Sequence, residues 1–581
     1  AIKRNDSFLG FWDNSIAGKI DIVNFKNPAA ASLITSIPLT ATYGNINSIA
    51  VKNGIVAAAI ENIIPEQPGK VVFFDTTGVF INQVNVGAMP DMITFTNDGT
   101  KVLTANEGQP NAAYTVDPEG SISIINISGG IASLTQTNVT TATFTSYNSQ
   151  ASSLKASGIR IYGLNNATVA QDMEPEYISF SADNNTAYVT CQENNAIAVV
   201  DIPTSTITAL RPLGTKNHLL SNNSFDISDV GTSIEMANWP VKGLYMPDAI
   251  ASYTANGQLY YVTANEGDSR EYTAYVEPAR ISSTTYILDS LKFPYRDALK
   301  ANLGRLNVTL ASGDTDGDGD YDEIHAFGAR SFSIWNATSG ALVWDSGDAL
   351  ELITSKHPTL SALFNASNAN NTLKNRSDDK GPEPEGITIA QLYNKTFAFI
   401  ALERIGGCMV YDITDPLNPI YVDYKNTRNL ASYGGDNGAE GIIFINAANS
   451  PTGDNIIILA NEVSSTLTFY KVDITTLEIN LSEINAKNDG NKNVIFWKTV
   501  SESKNDAFEL QKSKDGINFT TIGSINANGF PSTYSFDDLQ PHNGLSYYRI
   551  KMKNNAIDFS YSKSVEFLNP LIILLDPISL Q

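Results

Sequence analysis

The segment Asp314-Thr315-Asp316-Gly317-Asp318-Gly319-Asp320-Tyr321-Asp322 sets carboxylates at positions 1, 3, 5 and 9 of a glycine-broken loop. A hard divalent cation takes six to eight oxygens at roughly 2.3–2.6 Å, and alternating aspartates turn their side chains inward while the Asp320 carbonyl supplies one more ligand. Asp314, Asp316, Asp318, Asp320 and Asp322 are therefore expected to hold calcium, against the plainer alternative of an acidic, solvated turn. The helical version of such a loop ends on a bidentate Glu at position 12, where this chain has His325. Ile324, Phe327, Phe332, Ile334 and Trp335 follow in a pattern that reads as strand, so the loop is expected between strands, as in calcium-binding propeller blades.

A second set of acids recurs in a repeated phrase. Pro90-Asp91 leads to Ala105-Asn106-Glu107, Pro175-Glu176 to Cys191-Gln192-Glu193, and Pro247-Asp248 to Ala264-Asn265-Glu266. The phrase returns as Pro384-Glu385 with Ala401-Leu402-Glu403, and as Ala439-Glu440 with Ala460-Asn461-Glu462. The two acids of each pair stand 16 to 22 residues apart, the length of two strands and a hairpin. Strand starts and hairpin-returned strand ends lie at the same edge of a sheet, so the ten acids are expected at one rim of a repeated structure. Like charges raise one another's pKa unless a cation or a basic side chain offsets them; Arg270, Arg330, Arg376, Lys380 and Arg404 lie near the same motifs.

Two chemistries follow. In one, calcium held by the acidic rim stiffens a platform that binds a ligand, a surface component or further copies of the chain. In the other, the cation polarises a phosphoester, a carboxylate-bound water attacks phosphorus, and Arg330 or Arg404 neutralises the developing charge. Glu176, Glu266, Glu385 and Glu403 are the expected ligands or water-activating groups, with Glu385, Glu403, Arg404 and Arg330 carrying the catalytic version. His218, His325, His357 and His542 are scattered without zinc spacing, and no nucleophile elbow, Walker loop or dinucleotide fingerprint is present.

Third strands follow the hairpins at residues 121–127, 196–202, 408–413 and 466–472, with 71–75 and 20–25 serving earlier units. Radial repetition of such sheets is a β-propeller. Seven blades are expected, with eight open, because 267–350 has room for one unit or two. Short helices are expected at 297–303 and 348–355.

The chain has 581 residues, 42% of them hydrophobic, which exceeds one ordinary domain. Its formal net charge of −23 repels nucleic-acid phosphates and anionic membrane surfaces and favours cations. Cys191 and Cys408, far apart in strand-like segments, are expected to be small buried side chains rather than a disulfide. No transmembrane run or signal peptide is visible.

Several phrases carry a resemblance: 69–75 (GKVVFFD), 117–121 (DPEGS), 192–196 (QENNA), 239–243 (WPVKG), 314–322 with 327–333 (FGARSFS), 380–386 (KGPEPEG) and 402–407 (LERIGG). Over about residues 8–475 they resemble the choice-of-anchor I family. The resemblance implies a secreted bacterial β-propeller tethered by one of several C-terminal devices, in a family whose members are often labelled alkaline phosphatase or phytase-like esterase. The N-terminal blade departs from the pattern, leaving the channel residues on its side unassigned.

Domain 1–475, with insertions near 138–172, 215–245 and 267–380, gives way past Asp473 to segments alternating between apolar and polar residues. About seven short strands in 476–567 point to a β-sandwich. It resembles the fibronectin type III-like modules that precede the type IX sorting domain of Bacteroidota proteins, which implies export by the type IX secretion machinery to the outer surface of a Gram-negative cell. Residues 568–581 read as a tail or the start of a sorting segment.

Overall fold

The computed structural model of the protein describes residues 2–568 except 5–6, 15–17, 40–42, 393–394, 474–479, 490–491, 503–505, 543 and 555–557. Its architecture is almost entirely β. Among the described residues, seven antiparallel sheets succeed one another at 2–38, 46–88, 90–143, 178–212, 250–345, 384–425 and 439–472, six with four strands and the last with three. Within each, strands pair in sequence order as a meander.

Each sheet buries both faces. One side chain set packs on the preceding sheet and the alternate set on the following one. Val71 and Phe73 of the second sheet thus join Ile93 and Val102 of the third, while Leu103 and Ile122 of the third meet Val189 and Ala198 of the fourth. Tyr188 and Ile197 meet Tyr261 and Trp335, Val262 and Phe332 meet Ile400 and Met409, and Phe399 meets Leu459. Phe8 and Phe25 of the first sheet pack with Ile445, Ile456 and Ile458 of the last, closing the ring. The result is a β-propeller.

Residues 267–350 contribute strands to one propeller sheet rather than two, and otherwise form only small sheets, at 271–276, between 278–280 and 307–309, and at 324–326 beside 215–217 and 241–244. Ser331–Asn336 and Leu342–Asp345 are the third and fourth strands of the sheet opened by Ile250–Ala255 and Gln258–Asn265. The intervening chain joins residues 217–241 in a lobe with its own core of Phe225, Val241, Tyr286, Leu288, Val308 and Ile324. The Asp-rich loop belongs to this lobe, between Asn307–Thr309 and Ile324–Ala326. Helices occupy Arg296–Leu303 and Ala349–Lys356, and Cys191 and Cys408 are buried free thiols.

Residues 480–568 form two further sheets. Asn480–Asp489, Lys492–Ser501 and Thr533–Asp538 make one. Thr520–Asn526, Ala507–Ser513 and Leu545–Asn554 make the other, with Asp558–Tyr561 and Val565–Leu568 both pairing to Leu545–Asn554. Trp497, Phe508, Tyr534 and Tyr548 fill the space between them. All but Leu568 of the expected tail at 568–581, including its apolar run at 570–575, lies outside the described residues. No described helix is long and apolar enough to cross a membrane.

The repeated Asn-Glu phrase divides its labour. Asn106 Nδ2 donates to the Ser121 carbonyl and to the Ser121 and Ser123 hydroxyls. Asn265 Nδ2 does the same to Ser331 and Ser333, and Asn461 Nδ2 to Thr466 and Thr468. In the first two, a threonine two residues earlier donates to the Asn Oδ1. This Asn latches the second strand to the third and leaves the following Glu to project from the strand end. Asn265→Ala removes the acceptor of the buried Thr263 hydroxyl and the donor to Ser331 and Ser333 and is expected to cost about 1–3 kcal/mol, read as a lowered Tm; an unchanged Tm would remove the latch from the account.

Candidate functional site: the acidic mouth

The ten repeated acids sit where strand starts meet strand ends. Pro90 pairs with Asn106, Pro384 with Leu402 and Ala439 with Asn461, each next to a break in register that offsets the two acids. Backbone bonds pin the positions: Glu107 N–H donates to the Met89 carbonyl at 2.8 Å, Glu176 N–H to Thr190 at 3.0 Å, Asp248 N–H to Ala264 at 3.1 Å, Glu403 N–H to Glu383 at 2.9 Å, and Glu462 N–H to Gly438 at 2.7 Å. Met89, Met246 and Glu383, each directly before the phrase's proline, adopt φ of +48°, +42° and +51°. Left-handed backbone in a side-chain-bearing residue is strained, and its recurrence at one site marks that site as specially built.

The structure brings these acids together. Glu176 interacts electrostatically with Glu193, Asp248, Glu107 and Asp91. Glu385 does so with Glu266, Glu440, Asp248 and Glu403, and Glu440 in turn with Glu462. Two sets come within ligand-sharing distance, each offering carboxylate oxygens within 4.8 Å of one another: Glu266 with Glu385 and Glu403, and Glu107 with Glu174 and Glu193. Glu176 belongs to neither set; it lies beside Glu193 and Glu107 of the second, and reaches the first by way of Asp248. Its Oε2 is buried without a hydrogen-bond partner, as is that of Glu193.

The first set is partly compensated. Lys380 Nζ donates to Glu266 Oε1 at 2.6 Å, Gln192 Nε2 to Glu266 Oε2 at 2.8 Å, and Asn368 Nδ2 to Glu403 Oε1 at 2.8 Å. Asp248 hydrogen-bonds Glu385, a carboxyl–carboxylate contact that needs a shared proton or a cation in its place.

Behind this set lies a residue that the repeat pattern does not reveal. Glu383 is fully buried and draws Arg376 at 2.7 Å, Arg404 at 3.0 Å and Lys380 at 3.3 Å. Although burial alone raises its pKa, these three cations together hold its carboxyl down to about 2. They also serve Glu266, Asp268, Asp379 and Glu403, so the basic residues of the mouth are committed to its acids. Arg404, a quarter exposed, bridges Glu383 and Glu403.

Arg330, expected as a charge-neutralising clamp, has another task. Its Nη1 and Nη2 donate to the carbonyls of Asp226, Ser377 and Asp379 and to Glu351, and its guanidinium covers the Phe225 ring. Each Nη thereby serves two acceptors, which ties the guanidinium to the 377–379 loop and away from any substrate.

The Asp-rich loop also resolves differently from a single cage. Asp314, Asp316 and Asp322 form one set, while Asp318 and Asp320 turn to Asp289 from the neighbouring segment to form another. Gly317 and Gly319, at φ +80° and +99°, make the alternation possible. Asp314 accepts from the Gly317 and Gly319 N–H groups, and Asp322 from Thr315. Asp289 and Glu174 are the two participants missed from sequence; neither occupies a repeated position, though Glu174-Pro175-Glu176 does hold two acids around one proline.

A closed propeller carrying a carboxylate-rich mouth and an aspartate loop defines the class of protein. The choice-of-anchor I domain matches residues 5–416, and the chain belongs to that family. It is 28% identical over 186 residues to Gigasin-3a of Magallana gigas, covering 30% of this chain and 65% of that protein. It is 26% identical over 303 residues to the mesenchyme-specific cell surface glycoprotein of Strongylocentrotus purpuratus, covering 46% of this chain and 38% of that protein. The chain thus spans less than two thirds of either relative. Among solved structures, the Pseudomonas aeruginosa periplasmic gluconolactonase PpgL aligns over 92% of this chain and 99% of its own at 10% identity and a TM-score of 0.37. The Myceliophteria thermophila Cps50 (Swd1) β-propeller domain aligns over 81% and 99% at 7% and 0.36.

Desolvation first, then neighbouring acids, pushes Glu403 up to about 8. Asp248 also rises to about 8 through burial, against its bond to Glu385, and burial takes Glu193 to about 7 despite Arg270. Folded pKa values above the unfolded ones mean that the folded state binds more protons between about pH 4 and 8, so stability declines as pH climbs through that window. In chelator, Tm is expected to fall from pH 5 to 8; with excess calcium the slope should flatten, because the ion replaces the protons. A chelated Tm that rises over this range would refute the burial of these acids.

Proposed function

We propose that the protein is a secreted or cell-surface calcium-binding β-propeller that serves as a platform for adhesion, assembly or ligand binding. The observation that carries this reading is the allocation of charge in the mouth. Carboxylates converge there in ligand-sharing groups, while Lys380, Arg376 and Arg404 are all engaged with Glu383 and its neighbours. Such a surface attracts divalent cations and cationic or calcium-bridged partners and offers little to an incoming phosphate. Glu266, Glu385 and Glu403 are the ligands assigned to the mouth cation; Asp314, Asp316 and Asp322 are assigned to the loop cation, and Asp318 and Asp320 with Asp289 to an adjoining one.

Surface location is supported by membership of the choice-of-anchor I family and by the similarity to a sea-urchin protein described as a cell surface glycoprotein. For the sandwich we propose a stalk of fibronectin type III type. The strand order supports this: first, second and fifth strands in one sheet, and third, fourth, sixth, seventh and eighth in the other. The resemblance of residues 476–567 to modules of type IX-secreted Bacteroidota proteins favours export by that machinery.

The second reading, a calcium-dependent phosphoesterase, rests on one feature. Arg404 is partly exposed beside Glu403, where it can meet a phosphate oxygen while calcium on Glu385 and Glu403 polarises the ester. Hydrolysis of a chromogenic phosphate ester with and without calcium separates the two. The platform reading expects no calcium-dependent turnover; turnover that disappears in a Glu385→Gln, Glu403→Gln double variant would replace it with the enzyme reading.

Calcium at a hundred times its dissociation constant is expected to stabilise the fold by about 2.7 kcal/mol per site, raising Tm over the chelated protein. Asp314→Asn should lose the part of that gain due to the loop. An identical melting curve with and without calcium would end the calcium proposal altogether.

A further inference from the structure

Glu107, Glu174 and Glu193 come from three separate segments and put carboxylate oxygens within 4.8 Å of one another. Glu174 and Glu193 are 1% and 3% exposed. The protein compensates them unevenly. Arg270 holds Glu174 through Nε and Nη2, each at 3.0 Å, while also serving Asp172, and Gln109 reaches Glu107. Glu193 feels Arg270 only through space, and its Oε2 is buried without a hydrogen bond. Beside it the Oε2 of Glu176, 7% exposed overall, is equally unpartnered. A buried carboxylate oxygen with no donor is among the costliest groups to leave in a fold, and here two lie next to a ready ligand cluster.

We infer that Glu107, Glu174 and Glu193 hold a buried calcium ion, distinct from the cation assigned to Glu266, Glu385 and Glu403, with the free Glu176 oxygen available to the same ion. Oxygens at calcium distances stand up to ~5 Å apart across the ion, so the observed spread needs no rearrangement; magnesium demands a tighter, near-ideal octahedron and dehydrates reluctantly. The neighbouring loops fit the role. Ala274 N–H donates to the Ala112 carbonyl at 3.0 Å, and the Tyr114 and Tyr272 rings meet edge to face at 5.3 Å, so the segments after Glu107 and Glu266 fold over the cluster and lean on each other. The ion ties the third and fourth sheets to that cover. This site rests on the mouth being a divalent-cation surface, yet its ligands are separate from those of the first set.

The test is calcium stoichiometry, measured by equilibrium dialysis and elemental analysis on the full chain and on Glu193→Gln, Glu107→Gln and Glu385→Gln variants. Glu193→Gln and Glu107→Gln are each expected to bind one ion fewer than the wild type, and to keep the ions that Glu385→Gln or Asp314→Asn removes. Wild-type stoichiometry in both variants would overturn the inference. Should Glu193→Gln fail to fold, Glu107→Gln, whose side chain is less enclosed, decides alone. A Glu385→Gln variant with undiminished stoichiometry would instead sink the mouth assignment, and the two failures are told apart by which variant keeps its full complement.

Discussion

Everything in this molecule depends on how acids gathered at one rim are kept there. Two unit charges 4 Å apart repel by about 4 kcal/mol at an effective dielectric of 20, against a net stability of about 5–15 kcal/mol for a typical folded protein. A ring of carboxylates with raised pKa values is therefore not tolerable as bare anions. The chain answers in two ways. Around Glu383 it installs Arg376, Lys380 and Arg404; elsewhere it leaves oxygens such as Glu176 Oε2 and Glu193 Oε2 without partners. The first device anchors the sixth sheet internally. The second leaves these oxygens uncompensated by the described side chains, which is the feature on which the proposed hard-cation sites rest.

The repeat explains how such a rim arises. In the third, fifth and seventh sheets an Asn near the second strand's end satisfies the third strand's hydroxyls, and the next residue, Glu, is carried past the end of the ladder. The paired acid enters at or just before the first strand, beside a proline or its equivalent. Because five successive sheets, the third to the seventh, copy this edge, a local hairpin feature becomes an arc around the rim without long-range design. The left-handed residues Met89, Met246 and Glu383, with Gly438 at the matching place in the last sheet, turn the chain so that the acid faces its strand-end counterpart.

Much of this was legible in sequence because it is local. The hairpin spacing located the paired strands, and third strands predicted at 121–127, 196–202, 408–413 and 466–472 lie at Ser121–Asn126, Ala196–Asp201, Cys408–Asp412 and Thr466–Val472. What escaped depends on tertiary contacts. Glu383 sits in the same Pro-Glu-Pro-Glu phrase as Glu385, yet one is neutralised by three cations and the other faces acids, a difference no spacing encodes. Asp318 and Asp320 read as partners of Asp314 until Asp289 arrives from another turn. Arg330 looks like a clamp beside the motif, whereas the 377–379 carbonyls that claim it come from 47 to 49 residues away. The insertion between the second and third strands of the fifth sheet hid their pairing for the same reason.

The separation of the two carboxylate regions bears on how binding reaches the rest of the fold. The Asp-rich loop lies in the lobe built on Phe225, Tyr286 and Val308, and that lobe connects to the propeller through Arg330, which leaves the fifth sheet to grip the 377–379 carbonyls. The next residue along, Lys380, is the one that pairs with Glu266 in the mouth. Order in the lobe and charge balance in the mouth thus meet in one short segment, residues 377–383. A segment whose backbone is held by Arg330 from one side and whose side chains are held by Glu266 and Glu383 from the other has little freedom to shift alone, so the loop and the rim share a mechanical support even though their ligand sets do not overlap.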